Sequence, residues 1–117
     1  MSKVRIKFSV SPKVACDNLY IVGSTNNLGN WNPNEATQLK YNEETQSYTC
    51  TKFFPVDEVV EYKFITMKDW MGVEKGIWNE EICNRELVPV KGLKLELTIE
   101  TFRQNKYQNV TCRCRKN

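Results

Sequence analysis

The 117-residue chain reads as all-β, an antiparallel β-sandwich or open-sided, distorted barrel of seven to eight strands. Three observations predict this. Apolar and polar residues alternate with period two along several segments, the signature of strands with one buried face. Turn-prone clusters recur every dozen or so residues. No segment carries a convincing helical stripe.

The first strand is set by Val4, Ile6, Phe8 and Val10, which alternate with Lys3, Arg5, Lys7 and Ser9. Leu19 to Gly23 is a short, nearly continuous apolar strand, stopped by the turn-prone run Gly23-Ser24-Thr25-Asn26-Asn27. A short strand is expected near Gln38–Tyr41. Tyr48 to Phe54 follows, closed by Pro55 and a turn around Asp57. In the next strand Val60, Tyr62 and Phe64 point one way and Glu61, Lys63 and Ile65 the other. Short strands are expected at Gly76–Trp78 and Arg85–Val90. The cleanest alternation comes last, with Leu93, Leu95, Leu97 and Ile99 set against Lys94, Glu96, Thr98 and Glu100. These elements place one β domain at residues 1–102 and a basic tail, or the start of a linker, at 103–117. There is no internal repeat and no low-complexity tract.

Composition narrows the function. A chain of this length suffices for one domain with a viable core, without disulfides or metal. No apolar run approaches membrane-spanning length. Histidine is absent, which removes the commonest general base and metal ligand. No nucleophile motif, phosphate loop or metal cluster is present, so no cofactor and no catalysis are expected. The five cysteines, at 16, 50, 83, 112 and 114, are odd in number and irregular in spacing. That argues against a complete disulfide framework and for a reducing compartment. Cys112-Arg113-Cys114 reads as two thiols in a basic tail rather than as half of a metal site. Met1 to Arg5 lacks the apolar core of a signal peptide, and a cytoplasmic location is expected. The net charge of +3 hides an asymmetry. Residues 103–117 hold five basic and no acidic side chains, which leaves twelve basic against fourteen acidic in the body. A body of that charge is a poor partner for a phosphate backbone, so neither nucleic acid nor membrane is expected.

The tryptophans are the candidate binding residues. Trp31 lies in the loop Leu28-Gly29-Asn30-Trp31-Asn32-Pro33, where Gly29 and Pro33 turn the chain and polar flanks offer the ring no obvious burial. If Ile77 faces inward, alternation turns Trp78 outward, beside Asn79 and near Asn84. An exposed indole of that size calls for a reason. Lys63 sits on the polar face of its strand. Trp70, in Met67-Lys68-Asp69-Trp70-Met71-Gly72, either covers the core edge or adds a further platform, and packing is the favoured reading. Such a set suits a sugar. The C–H face of a glucose ring packs on a flat aromatic and leaves water, while its hydroxyls need fixed polar partners. One sugar face on one indole is worth on the order of 1–3 kcal/mol.

Four ordered matches carry a family resemblance over about Val4 to Phe102. They are Leu19-Tyr20-Ile21-Val22-Gly23-Ser24, then Leu28-Gly29-Asn30-Trp31-Asn32-Pro33, then Val60-Glu61-Tyr62-Lys63-Phe64-Ile65, then Trp78 with Asn84-Arg85. In this order they resemble a starch-binding domain of carbohydrate-binding module family 20. The resemblance implies an immunoglobulin-like β-sandwich that binds α-1,4-glucan, such as starch or glycogen, without chemistry of its own. It implies that Trp31 and Trp78 are the stacking rings of one site and that Lys63 and Asn84 are its hydrogen-bonding partners. Asn79 stands where the family usually has Glu. The stretch from Lys63 to Trp78 is longer than usual, with Trp70 inside the extra length. A second site of the family would fall on Tyr41 and Tyr48, with Tyr48 replacing a tryptophan and a further tyrosine lacking near Ala15. The partner implied is an α-glucan or malto-oligosaccharide, with a catalytic domain such as an amylase, glucan phosphatase or dikinase on the same full-length chain. The competing reading is a protein-interaction β-sandwich that has kept the fold and lost sugar binding.

Overall fold

The computed structural model describes residues 2–103. Residues 104–117 of the expected tail, with Cys112 and Cys114, lie outside the described residues. Among the described residues ten strands lie in chain order: β1 (Lys3–Pro12), β2 (Tyr20–Gly23), β3 (Thr37–Gln38), β4 (Lys40–Asn42), β5 (Ser47–Pro55), β6 (Val60–Ile65), β7 (Glu74–Lys75), β8 (Arg85–Leu87), β9 (Lys94–Ile99) and β10 (Thr101–Phe102). One four-stranded sheet has the order β4-β5-β1-β9 and a second the order β3-β2-β6-β8. A two-stranded ladder joins β10 to β7. The sheets are open and form no closed barrel, in keeping with the expected open-sided β-sandwich architecture.

The core is the sum of the inward faces. Ile6, Phe8 and Val10 of β1 pack with Ile21, Phe54, Tyr62, Phe64, Leu87 and Ile99, all buried. Three ring contacts run through the core, and the Phe8–Tyr62 contact joins the two sheets. Phe8 meets Tyr62 at 5.4 Å and Phe54 at 6.3 Å, and Tyr62 meets Phe64 at 5.7 Å, all near edge-to-face. That arrangement sets the positive ring edge against the negative face and adds to the area buried.

Five departures from the sequence reading have physical causes. First, β1 pairs antiparallel with β5 but parallel with β9, from Lys7 opposite Lys94 to Pro12 opposite Ile99, so the sandwich is mixed at that edge. Alternation reports which face is buried and carries no strand direction. Second, the strand expected near Gln38–Tyr41 is two strands in different sheets. Leu39 is buried between them and its N–H donates to the Leu19 carbonyl at 2.8 Å, so the chain crosses the core there. Third, Ile65 is buried although it lies on the outward face of β6. It packs with Val22 and Val73 beneath the 66–73 segment, which covers that face. Fourth, Gly76–Trp78 is a turn rather than a strand. The Asn79 N–H donates to the Gly76 carbonyl at 2.8 Å and Asn79 takes a left-handed φ of 64°. Ile77 and Trp78 are therefore both exposed, and the predicted alternation between them does not occur. Fifth, the β8 strand is shorter than expected and ends at Leu87, two residues before Pro89.

Candidate functional site

The loop after β2 presents Trp31 on a constrained backbone. Gly29, Asn30 and Trp31 have φ of 86°, 52° and 65° in succession. A bulky L-residue at positive φ is a genuine outlier and costs on the order of 1–2 kcal/mol. Surrounding contacts hold the loop there. The Trp31 N–H donates to the Gly23 carbonyl at 2.8 Å and the Asn30 N–H to the Thr25 carbonyl at 3.0 Å. Leu28 is fully buried and pins the loop to the core. Gly29 is required twice, by its φ and because a Cβ would sit 2.9 Å from the Glu35 carbonyl oxygen. Asn32 caps the following short turn by accepting from the Asn34 N–H at 3.0 Å. Strain concentrated on one half-buried aromatic is the pattern expected at a binding residue.

Trp31 lines a cleft of about 540 Å³ together with Lys63, Trp70, Val73, Glu81, Asn84 and Arg103. Three residues expected at the site from sequence, Trp31, Lys63 and Asn84, thus meet in one depression. Lys63 stands on β6 and its Nζ donates to the Ile82 carbonyl at 2.7 Å. Asn84 directly precedes β8 and its Nδ2 donates to Glu61 Oε1 at 2.9 Å. Each group is oriented by a protein partner and keeps spare capacity. The ammonium has further donors and the Asn84 amide oxygen is an acceptor.

Beneath the cleft lies a buried ion pair. Glu74 is 0% exposed, and its carboxylate accepts from Arg85 Nε at 3.0 Å, Arg85 Nη2 at 2.8 Å and the Phe64 N–H at 3.0 Å. The Arg85 guanidinium lies 5.3 Å over the Phe64 ring and also donates to the Thr98 carbonyl. Phe64, Glu74 and Arg85 each follow a cleft residue, namely Lys63, Val73 and Asn84. The pair therefore ties together three of the segments that line the cleft. The Asn84-Arg85 signal splits accordingly, Asn to the cleft and Arg to the support beneath it.

Trp78 is elsewhere. It stands on the 76–80 turn, 85% exposed, and does not line the cleft. Its N–H donates to Glu80 Oε1 at 2.9 Å. Asn79 directs its side-chain amide to the Phe102 carbonyl at 3.2 Å, so that donor fastens the turn to β10. Sequence reasoning named neither Arg103 nor Glu81 as a binding residue. Glu81 accepts from Lys75 Nζ and, at 3.0 Å, from Arg103 Nη2. The Lys75 hydrogen bond, supported by Arg103, holds the Glu81 carboxyl below its ordinary range. Arg103 also donates its N–H to the Val73 carbonyl at 2.7 Å, so this first residue of the expected tail packs with the domain. No spacing rule could have joined residues 81 and 103 to the cleft, because the β10–β7 ladder brings them there.

The expected second site falls on the other sheet. Tyr41 and Tyr48 face each other across β4 and β5 with ring centroids 5.0 Å apart. Tyr41 is half exposed, and the Tyr48 hydroxyl donates to the Cys16 carbonyl at 2.8 Å. The two sites are thus on different sheets. Cys16, Cys50 and Cys83 carry free thiols.

Known proteins share this architecture. A glucoamylase from Hypocrea jecorina superposes with a TM-score of 0.63 at 23% identity, over 85% of this chain and 17% of its own. A Hormoconis resinae glucoamylase gives 0.63 and 23%, over 85% of this chain and 18% of its own. The family 20 module of the maltotetraose-forming amylase of Pseudomonas saccharophila gives 0.60 and 22%, over 81% of this chain and 99% of that module. The chain thus spans under a fifth of each glucoamylase and nearly all of the isolated module. At these identities the likeness shows the fold. The sequence profile of the starch binding domain matches residues 3–98, most of the chain. The chain belongs to the starch binding domains, carbohydrate-binding module family 20, which are non-catalytic binding modules.

Proposed function

We propose that the Trp31 cleft holds α-1,4-glucan, in starch or glycogen, by stacking of sugar on indole, and that the domain thereby carries an attached or partner enzyme to the polysaccharide. The observation behind this reading is the meeting of Trp31, Lys63 and Asn84 in one cleft from three separate segments. The indole supplies an apolar face for a glucose ring. The Lys63 ammonium and the Asn84 amide oxygen supply hydroxyl partners beside it. Trp78, exposed on its turn, adds a stacking surface for a chain that runs beyond the cleft. Tyr41 and Tyr48 form a second, weaker patch on the other sheet, and repeated weak contacts along a polymer raise the overall affinity. The odd cysteine count, with free thiols at Cys16, Cys50 and Cys83, favours a reducing compartment.

Calorimetric titration with β-cyclodextrin, a soluble curved α-1,4 glucan, tests the reading. Wild type is expected to bind in the micromolar-to-millimolar range. Trp31→Ala should abolish that binding. Trp78→Ala should weaken it while changing stability by less than about 0.5 kcal/mol, because the ring buries almost nothing in the fold. Failure of well-folded wild type to bind would return the domain to a protein-interaction role.

A further inference from the structure

Within the longer stretch between Lys63 and Trp78, residues 66–72 form a closed tip. The Thr66 N–H donates to the Gly72 carbonyl at 3.0 Å, and the Asp69 side chain accepts from the Met71 N–H at 2.8 Å. A bridge between Ile65 and Val73 shuts the base. The tip carries Trp70. The ring is half-buried, packs against the Val22, Ile65 and Val73 cluster and at the same time lines the Trp31 cleft. The Trp31 and Trp70 ring centroids are 6.3 Å apart and their planes are inclined by 40°. That inclination is neither the offset stack nor the edge-to-face contact that aromatic pairs adopt for their own sake. Two rigid indoles, one on a strained loop and one on a hydrogen-bonded tip, are thus fixed side by side in a single depression.

Resting on the glucan reading above, we infer that Trp70 is a second stacking ring of the cleft, so that the site is a Trp31–Trp70 clamp for consecutive glucose units. The inclined planes fit a chain whose successive sugar faces turn, as in a curved α-1,4 glucan, and misfit a flat β-1,4 chain. Both rings are pre-positioned, so little ordering cost falls on binding. Trp78, outside the cleft lining, is then an outer contact that only a longer chain reaches.

The test is a titration series of maltose, maltotriose, maltoheptaose and β-cyclodextrin against wild type, Trp70→Leu and Trp70→Phe. Leu keeps an apolar side chain over Val22, Ile65 and Val73 and removes the flat ring. Trp70→Leu is expected to lose roughly ten-fold in maltoheptaose and β-cyclodextrin affinity. Trp70→Phe should recover most of that loss at an unchanged melting temperature, a rescue that a purely packing role would not give. In wild type the Trp70 indole N–H resonance, assigned by its absence from Trp70→Phe, should shift on adding β-cyclodextrin. This readout does not depend on any variant folding. Wild-type binding with a silent Trp70 resonance, or Trp70→Leu binding as wild type does, would overturn the clamp and leave the glucan reading standing. Absence of any binding by folded wild type would overturn both.

Discussion

Replacing Arg85 by Met should damage this domain more than its partly exposed position suggests. The Glu74 carboxylate has no solvent contact and takes its hydrogen bonds from Arg85 and the Phe64 N–H. Met is close in volume and preserves the contact with Phe64, so the change isolates charge. It strands an ionised carboxylate in the interior, and breaking a buried pair from one side costs about 3–5 kcal/mol. Arg85 keeps some solvent contact, with its side chain 22% exposed, so the lower end of that range applies. About 3 kcal/mol lowers Tm by about 12–24 °C in a domain of roughly 100 residues. Urea unfolding followed by tryptophan fluorescence measures it. Adding Glu74→Gln removes the stranded charge and keeps an acceptor for the Phe64 N–H, so the double variant should regain at least about 1 kcal/mol over Arg85→Met. Glucan affinity should follow the same order, because the pair fastens the residues adjoining Lys63, Val73 and Asn84. The reasoning is refuted if Arg85→Met costs under about 1 kcal/mol, or if the double variant is no more stable than the single.

Two further outcomes are expected. Burial, opposed in part by Lys52, raises the Cys50 thiol from 9.0 to about 11, so its neutral form is favoured in the fold. That stabilisation is complete below about pH 9 and is lost as pH rises through about 11, so Cys50→Val should flatten the alkaline fall in Tm; parallel Tm–pH curves for variant and wild type would count against it. Gly23→Ala would place a Cβ 2.4 Å from the Glu61 carbonyl oxygen and 2.8 Å from Leu28 Cδ1. It should cost about 1–3 kcal/mol in chemical denaturation and weaken β-cyclodextrin binding, since the Gly23 carbonyl holds the Trp31 N–H. Wild-type stability in that variant would show that β2 and β6 can separate without loss.

The burial pattern of this fold was legible because it is a local property. Val4, Ile6, Phe8 and Val10 take the inward face of β1 as their alternation requires, and Ile99 ends the alternating β9 segment inside the core. The cleft loop was legible for the same reason. Gly29 before Trp31, with Pro33 beyond, dictates a turn that no regular strand could hold. Sequence also marked Trp31, Lys63 and Asn84 as companions, through family resemblance rather than spacing.

Other features depend on which segments meet in space. The parallel match of β1 with β9, the crossing at Leu39 and the burial of Ile65 are set by partners distant in sequence. So is the Glu74–Arg85 pair, in which Glu74 is fully buried and Arg85 keeps some solvent contact. The tryptophans divide along the same line. Local pattern can say that an indole lies in a turn. Whether Trp70 reaches Trp31, or Trp78 stands out in solvent, is decided by how the 66–73 tip and the 76–80 turn pack on the finished sandwich, because a side chain's neighbours across a fold are fixed by tertiary contacts and not by its own sequence flanks.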